Sequence, residues 1–176
     1  MRIGLCGTMS VGKTTLVNAL TELKEFEGYT FTTERSKHLM AQGIPLNTDS
    51  TLKGQCIFLA ERASELIQEN IITDRTIIDV MAFSEASTTM RVDQKDDFEV
   101  LASQLIGDYD HIFYVSPQGV LIEDNGVRET DENYRNLIDQ NINKVINSYN
   151  HRIKNIHVLS GSTVERIEQM KQAIFL

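Results

Sequence analysis

The chain begins with Met1-Arg-Ile-Gly-Leu-Cys-Gly-Thr-Met-Ser-Val-Gly-Lys-Thr-Thr15. Apart from one arginine the first residues are apolar and predict a short buried strand, whereas the residues from Lys13 onward predict the start of a helix. The turn between them matches the spacing G-x4-G-K-S/T, with Gly7, Gly12, Lys13 and Thr14 at the defining positions. The pattern therefore occurs between a strand and a helix, which is the context that gives it meaning.

This spacing is typical of a loop that wraps a polyphosphate. Glycine lets the chain turn sharply enough to aim consecutive backbone N–H groups at one anion, and the positive end of the following helix adds to the attraction. We expect Lys13 to reach the β- and γ-phosphates of ATP and Thr14 to bind Mg²⁺. The predicted nucleotide-binding residues are Gly7, Thr8, Ser10, Val11, Gly12, Lys13, Thr14 and Thr15. The alternative is a strand–helix turn without a ligand. It is disfavoured because the glycines, the lysine and the hydroxyl all fit a phosphate-binding loop.

Length and composition indicate one soluble globular domain over residues 1–176. A chain of 176 residues is long enough for one well-packed domain and short for two, and 41% hydrophobic with 24% charged residues is ordinary. The 25 acidic residues outnumber the 17 basic ones and give a net charge of −8. Because this charge repels a polyanion over most of the surface, a nucleic-acid partner is disfavoured, although a local basic groove could outweigh the total.

The two cysteines and the apolar runs indicate a cytoplasmic protein. Cys6 lies in the first predicted strand and Cys56 on the predicted apolar face of a later helix, so both are expected to be small buried hydrophobes. The N-terminus has no signal-peptide core, and no apolar run is long enough to span a bilayer. We therefore expect a reducing compartment and no membrane partner.

Strand-like and helix-like segments alternate along the chain, which predicts an α/β fold. We expect a three-layer P-loop NTPase fold, with a five-stranded parallel sheet and helices on both faces. After the first strand, strands are predicted at Tyr29–Thr33, Ile71–Thr73, His111–Val115 and Ile156–Leu159. Two of the predicted helices have these apolar stripes: Leu52, Cys56, Leu59, Ala63 and Leu66 in a helix from about Ser50 to Glu69, and Val164, Ile167, Met170 and Ile174 in the last helix.

Charged side chains follow the predicted strands, and the carboxyl ends of parallel strands meet at one edge of a sheet. Asp74 and Arg75 follow the third strand. An aspartate there can hold Mg²⁺ or accept the proton of an attacking hydroxyl, and Arg75 can neutralise phosphate. The alternative for Asp74 is a helix N-cap. These positions make Lys13, Asp74 and Arg75 candidate catalytic residues, with Thr14 and Asp74 as candidate metal ligands.

Two further charged residues stand after the second predicted strand. Glu34 is a candidate partner for a sugar hydroxyl or a substrate-orienting arginine. Lys37 lies one helical turn further on, so it either contacts the substrate or forms an ion pair with Glu34 on a solvated face.

The segment from about residue 119 to 135 is polar and predicts a lid. Asn125-Gly126 is a turn dipeptide, and Arg128 and Arg135 come before and within the start of the next helix. Arginines carried by a closing lid can stabilise the charge that develops during phosphoryl transfer while water is excluded. The alternative is that both arginines merely balance the acidic residues around them.

Taken together, these motifs resemble the small P-loop nucleoside and nucleotide kinases. The likeness is greatest to the nicotinamide-riboside kinase domain of NadR-type proteins, and thymidylate and deoxynucleoside kinases are more distant. It covers nearly the whole chain and rests on the phosphate loop, Glu34 with a basic residue three later, Gln55, Asp74-Arg-x3-Asp79, Asn125-Gly-Val-Arg128 and Ser160-Gly-x4-Arg166. Only the phosphate loop is specific by itself.

The resemblance implies roles for individual residues. Asp74 would be the base or a Mg²⁺ ligand, Arg128 a lid arginine, Gln55 a base-recognising amide, and the turn at Gly161 an adenine contact. The sequence departs from the family pattern at Asn125, where the lid would carry aspartate, and at Lys37, where arginine is expected. The second departure affects substrate identity, because lysine lacks the planar fork of arginine.

The leading hypothesis is a kinase that uses ATP and Mg²⁺ to phosphorylate a small nucleoside or nucleotide. A regulatory ATPase or nucleotide switch is one alternative, but Ser116-Pro-Gln-Gly119 stands where a GTPase would carry its guanine-reading motif. A kinase acting on DNA or RNA ends or on modified bases is another. It needs a basic channel, and the dense basic stretches are short, at Arg35–His38 and His151–Lys154. The acceptor, and whether the chain forms a homodimer, stay open.

Overall fold

The computed structural model describes residues 1–33, 35–119 and 131–175. Its strands are β1 (Arg2–Cys6), β2 (Thr30–Thr32), β3 (Ile71–Asp74), β4 (His111–Val115) and β5 (Ile156–Leu159). Its helices are α1 (Lys13–Leu20), α2 (Ser36–Ala41), α3 (Leu52–Glu65), α4 (Ile77–Glu85), α5 (Val92–Ser103), α6 (Glu132–Ser148) and α7 (Thr163–Phe175). None of the helices in these ranges is long and apolar enough to cross a bilayer.

The strands form one parallel sheet in the order β2-β3-β1-β4-β5. Strand β1 lies at its centre, with Leu5 opposite Asp74 of β3 and Cys6 opposite Tyr114 of β4. The chain builds the sheet first toward β2 and then toward β5, so a crevice opens at the carboxyl end of β1. The predicted five-stranded parallel α/β fold is confirmed, and β4 and β5 have the predicted bounds.

Apolar side chains pack on both faces of the sheet. Alternate residues of β1 point to opposite faces, so Ile3 and Leu5 pack on one side and Cys6 on the other. Helices α1 and α7 cover the first face, where the core contains Leu16, Val17, Leu20, Phe113, Leu159 and Met170. Helices α3 to α6 cover the second, with Leu59, Ile78, Phe98, Ile138 and Ile142. The sheet is therefore the middle of three layers.

The apolar stripe predicted for α3 is wrong in part. Cys56 is exposed, and the buried face carries Gln55, Arg62 and Glu65. These polar groups can be buried because they find partners: Arg62 pairs with Glu65, and Gln55 bonds to Ser50. Helix α3 begins after Thr51, whose hydroxyl accepts a hydrogen bond from the Gly54 backbone N–H. The face of α3 that turns inward is thus set by polar contacts as well as by leucines.

Another residue expected in an apolar stripe is exposed. Val164 in the first turn of α7 lies largely in solvent, while Met170 of the same helix is buried as expected. A helical period predicts which residues share a face, but it does not predict where along the helix the neighbouring element ends.

Candidate active site

The loop between β1 and α1 depends on two glycines. Gly12 has φ 85° and caps the N-terminus of α1, a conformation that costs residues with a Cβ. Gly7 has φ 151°, and a Cβ there would lie 2.7 Å from the Val115 carbonyl oxygen. Larger side chains at either position would push the loop out of shape. This geometry explains why glycine occupies both ends of the motif.

Lys13 lies inside this loop rather than in solvent. Its Nζ donates hydrogen bonds to the carbonyl oxygens of Gly7 (2.6 Å) and Thr8 (2.9 Å), and the residue is 6% exposed. Burial lowers the pKa of the Lys13 amine from its ordinary value, while Asp79 and Asp74 oppose that shift. The loop thus holds the buried Lys13 amine beside its own backbone carbonyl groups.

Thr14 and Asp74 meet across the gap between α1 and β3. The Thr14 hydroxyl donates a hydrogen bond to Asp74 Oδ2, and Asp74 is 1% exposed. Asp74 is not the cap of α4, because Thr76 occupies that position and accepts a hydrogen bond from the Ile78 N–H. A hydroxyl and a carboxylate side by side are the hard oxygen ligands that Mg²⁺ takes in proteins. The donor set at this point fits that ion.

Asp79 is a site residue whose role was not predicted from the sequence. Its Oδ1 accepts a hydrogen bond from the Gly7 N–H (3.1 Å), and its Oδ2 accepts from the Thr76 N–H (2.7 Å) and hydroxyl (2.9 Å). One carboxylate therefore ties the end of β1 to the start of α4. The signal in the sequence is the spacing Thr76-x-x-Asp79, and the two residues form a capping box at the start of α4.

A cavity opens beyond the end of β3, and residues of α2, α3 and α4 line it. Gln55 is buried there, and its Nε2 donates to Ser50 Oγ (2.9 Å). Arg75 follows β3 with φ 93°, and its guanidinium lies 4.7 Å from the centre of the Phe83 ring. The lining residues are Ser36, Leu46, Asn47, Ser50, Gln55, Phe58, Arg62, Arg75, Val80 and Phe83. Gln55 and Arg75, which were both predicted as site residues, therefore line the same cavity.

Arg62, which lines this cavity, forms a buried ion pair with Glu65. Arg62 Nη2 lies 2.6 Å from Glu65 Oε1, and Arg62 Nη1 donates to the Asp74 carbonyl oxygen at 3.4 Å. Burial raises the pKa of the Glu65 carboxyl, although Arg62 opposes the shift. This pair was not predicted from the sequence. Its i, i+3 spacing is the only available signal.

Arg135 reaches the site from the first turn of α6. It is 5% exposed, and its carbonyl oxygen accepts a hydrogen bond from the Thr8 hydroxyl at 3.0 Å. Asp131 caps α6 by accepting from the Asn133 N–H at 2.8 Å. The phosphate loop is therefore hydrogen-bonded to α6, whose first residues fall within the predicted lid segment.

The remaining candidates lie apart from these contacts or outside the described residues. Lys37 is exposed on α2 and does not line the cavity. Thr15 is exposed on α1, and Gly161, with φ 87°, is exposed in the turn before α7. Glu34 and Arg128 lie outside the described residues, as does most of the predicted lid.

Comparisons with known proteins agree on the fold. A family model described as an AAA domain matches residues 2–166, whereas curated protein sequences give no significant match. Deoxyadenosine kinase from M. mycoides with bound dCTP is 19% identical, with a TM-score of 0.68 over 99% of this chain and 98% of that one. Thymidylate kinase from Candida albicans is 15% identical, with a TM-score of 0.66 over 98% and 89%. NadR in complex with NR is 15% identical, with a TM-score of 0.73 over 97% of this chain and 50% of NadR. The chain therefore has the kinase-like P-loop fold that its motifs predict.

Proposed function

The chain belongs to the AAA domain family, and from that premise we propose that it transfers the γ-phosphoryl group of ATP to a small nucleoside or nucleotide, with Mg²⁺. The observation that carries the proposal is the contact between Thr14 and Asp74 next to the buried Lys13. It joins a loop suited to polyphosphate to the end of β3, from which Arg75 reaches a second cavity. A phosphoryl donor and an acceptor can then occupy neighbouring positions.

On the donor side, Lys13 would place its positive charge beside the negative charge that develops on the transferred phosphoryl group. Its amine now bonds to the Gly7 and Thr8 carbonyl oxygens, and it would exchange these for β- and γ-phosphate oxygens. An amine that is already buried and oriented reorganises little when the reaction occurs, so it stabilises the transition state effectively. Thr14 and Asp74 would hold Mg²⁺, which neutralises β- and γ-phosphate oxygens when it is bound.

On the acceptor side, the cavity offers groups suited to a nucleobase. The Gln55 amide can donate and accept hydrogen bonds to a planar base, and Phe58 and Phe83 provide apolar walls. Arg75 follows Asp74 in the chain and lines this cavity. It would keep the acceptor oxygen directed toward the phosphate loop and offset its negative charge.

The nature of the acceptor decides what Asp74 must do. A hydroxyl has to lose its proton during transfer, so Asp74 would accept it as a general base. A phosphate acceptor is already ionised, so Asp74 would then serve only with Thr14 at the metal position. We propose that the segment from 119 to 135 closes over the bound ATP and the bound acceptor, with Arg135 and Arg128 directed at the phosphates.

A screen of phosphoryl transfer tests the proposal. Wild-type protein would be incubated with ATP and Mg²⁺ against panels of nucleosides, nucleoside monophosphates and short oligonucleotides, with EDTA controls. We expect transfer to at least one small acceptor, and the Lys13→Ala variant should lack it. ATP hydrolysis without transfer to any acceptor would favour a regulatory ATPase, and transfer only to oligonucleotides would favour a nucleic-acid kinase.

A further inference from the structure

Arg166 of α7 contacts the phosphate loop near its end. Its Nη1 donates a hydrogen bond of 2.6 Å to the Val11 carbonyl oxygen, and the residue is 5% exposed. A Cβ on Gly12 would lie 3.3 Å from the same nitrogen. The backbone N–H of Arg166 bonds to the Ser162 carbonyl oxygen at 3.0 Å, in the capped first turn of α7. The guanidinium is thus fixed at the point where the loop enters α1.

The contact constrains the peptide between Val11 and Gly12. A trans peptide is planar, so its carbonyl oxygen and its N–H point in opposite directions. Because Arg166 holds the Val11 carbonyl oxygen on one side, the Gly12 N–H must point to the other side. A phosphate loop works by aiming such N–H groups at one anion. Arg166 therefore determines the direction of one of the donors that the loop presents.

Arg166 forms no ion pair with a carboxylate among the described residues. Burial lowers the pKa of its guanidinium. Its Nε is buried and has no hydrogen-bond partner within the part of the chain that the structure describes. A buried cation without a counter-charge is costly. An anion held by the adjacent loop would offset that cost.

We propose that Arg166 is a positioning residue of the phosphate site, which orients the Val11–Gly12 peptide and balances the charge of a bound polyphosphate. This proposal rests on the proposed function only in taking the loop's ligand to be a nucleoside di- or triphosphate. The competing explanation is purely structural: Arg166 would attach α7 to the loop and contribute nothing to ligand affinity.

Binding measurements on three variants distinguish these explanations. Arg166→Met keeps most of the side-chain volume but removes the charge and the donors, whereas Arg166→Lys keeps a charge and one donor group. The matched control is Arg152→Met, because Arg152 Nη1 also donates to a backbone carbonyl oxygen, that of Ser103 at 3.3 Å, away from the loop. Calorimetry would measure the affinity for ATP, ADP and inorganic tripolyphosphate with Mg²⁺, and thermal unfolding would measure ligand-free stability.

We expect Arg166→Met to weaken binding of all three probes roughly tenfold to a hundredfold, which is typical when a residue that orients ligand-binding groups is removed. Arg166→Lys should recover part of that loss, and Arg152→Met should bind as the wild type does. Unchanged affinity in a folded Arg166→Met variant overturns the proposal. If that variant does not fold, Arg166→Lys carries the test: reduced affinity for the three probes supports the proposal, and wild-type affinity overturns it.

The outcome is separable from that of the proposed function. Wild-type protein that binds ATP and tripolyphosphate but transfers no phosphoryl group contradicts the kinase and leaves the test of Arg166 intact. Wild-type protein that transfers phosphate, with Arg166→Met equal to it in affinity, contradicts only the role of Arg166.

Discussion

The Thr14 hydroxyl donates a hydrogen bond to Asp74 Oδ2, and this contact joins two residues that are 60 positions apart in the chain. Thr14 belongs to the first turn of α1, and Asp74 is the last residue of β3. The contact exists because β3 pairs with β1 in a register that places Asp74 opposite Leu5, next to the start of the loop. Sheet register therefore brings a candidate metal position together from two separate motifs.

The first prediction concerns Asp74. We expect Asp74→Asn to lower turnover by roughly a hundredfold or more, as expected for the loss of a general base or metal partner, while ATP affinity is largely retained. Steady-state kinetics and calorimetry would measure the two quantities separately. A fall in affinity without a fall in turnover per bound complex would mean that Asp74 is structural.

The second prediction concerns Lys13. Its removal takes away the buried amine inside the loop, so Lys13→Ala should abolish transfer and sharply weaken ATP binding. The control is Lys53→Ala, since Lys53 is exposed on α3 and should be replaceable without effect. Full activity of Lys13→Ala would contradict the assignment of the phosphate loop.

The third prediction concerns Gln55. Replacing it by leucine keeps its approximate size but removes the amide that lines the cavity proposed to hold the acceptor. We expect a higher KM for the acceptor and an unchanged KM for ATP, because the cavity and the phosphate loop are separate sites. Gln68→Leu, at an exposed position after α3, is the matched control. Equal changes in both KM values would indicate that Gln55 only supports the fold.

The fourth prediction concerns the arginines near the predicted lid. If Arg128 and Arg135 contact charge that appears only in the transition state, replacing either should lower turnover much more than ATP affinity. We expect the larger effect for Arg128→Ala and a smaller one for Arg135→Met. Since Arg135 is buried, its variant needs a thermal unfolding control. Unchanged turnover in both would mean that they serve only local charge balance.

The fifth prediction concerns pH and two histidines at the edge of the sheet. His111 Nδ1 and His157 Nε2 lie 3.2 Å apart, and burial lowers the pKa of both rings below the ordinary value of 6.5. His157 lowers the pKa of His111 further, while Asp110 opposes that shift. Between the folded pKa and 6.5 the unfolded chain binds more protons, so the free energy of unfolding rises with pH and falls on acidification.

Thermal unfolding between about pH 7.5 and about pH 5 measures this effect, since that range includes the ordinary imidazole pKa. The wild type should lose stability on acidification, and His157→Gln should lose less. The exposed His151 provides the control, because His151→Gln should decline as steeply as the wild type. The same slope in His157→Gln would show that the pair is not responsible.

Most of what could be predicted of the fold and the candidate site came from the strand pattern and the phosphate loop. Strands such as His111–Val115 are nearly continuous apolar runs bounded by turns, and this is how a strand covered on both faces is recognised. Placing Asp74 at a strand end was sufficient to put it near the loop. The parallel sheet then determined which strand ends would meet.

The interior of α3 could not be predicted in the same way. An apolar stripe favoured Cys56 as a buried residue, but Gln55, Arg62 and Glu65 are buried instead. Burial of a polar group depends on partners distant in sequence, such as the Asp74 carbonyl oxygen for Arg62. Arg166 and Val11 are 155 positions apart, so their contact could not be predicted from the local sequence pattern either.

The two oxygens of the Asp79 carboxylate accept hydrogen bonds from two different elements, and this limits how those elements can move relative to each other. Because one oxygen holds Gly7 and the other holds Thr76, the floor of the phosphate loop and the start of α4 are joined into a single stiff unit. If the site acts as proposed, we do not expect the phosphate loop and the cavity lined by Gln55 to approach one another by hinging at this point. We expect any closure during the proposed transfer to involve segments at the periphery of the crevice.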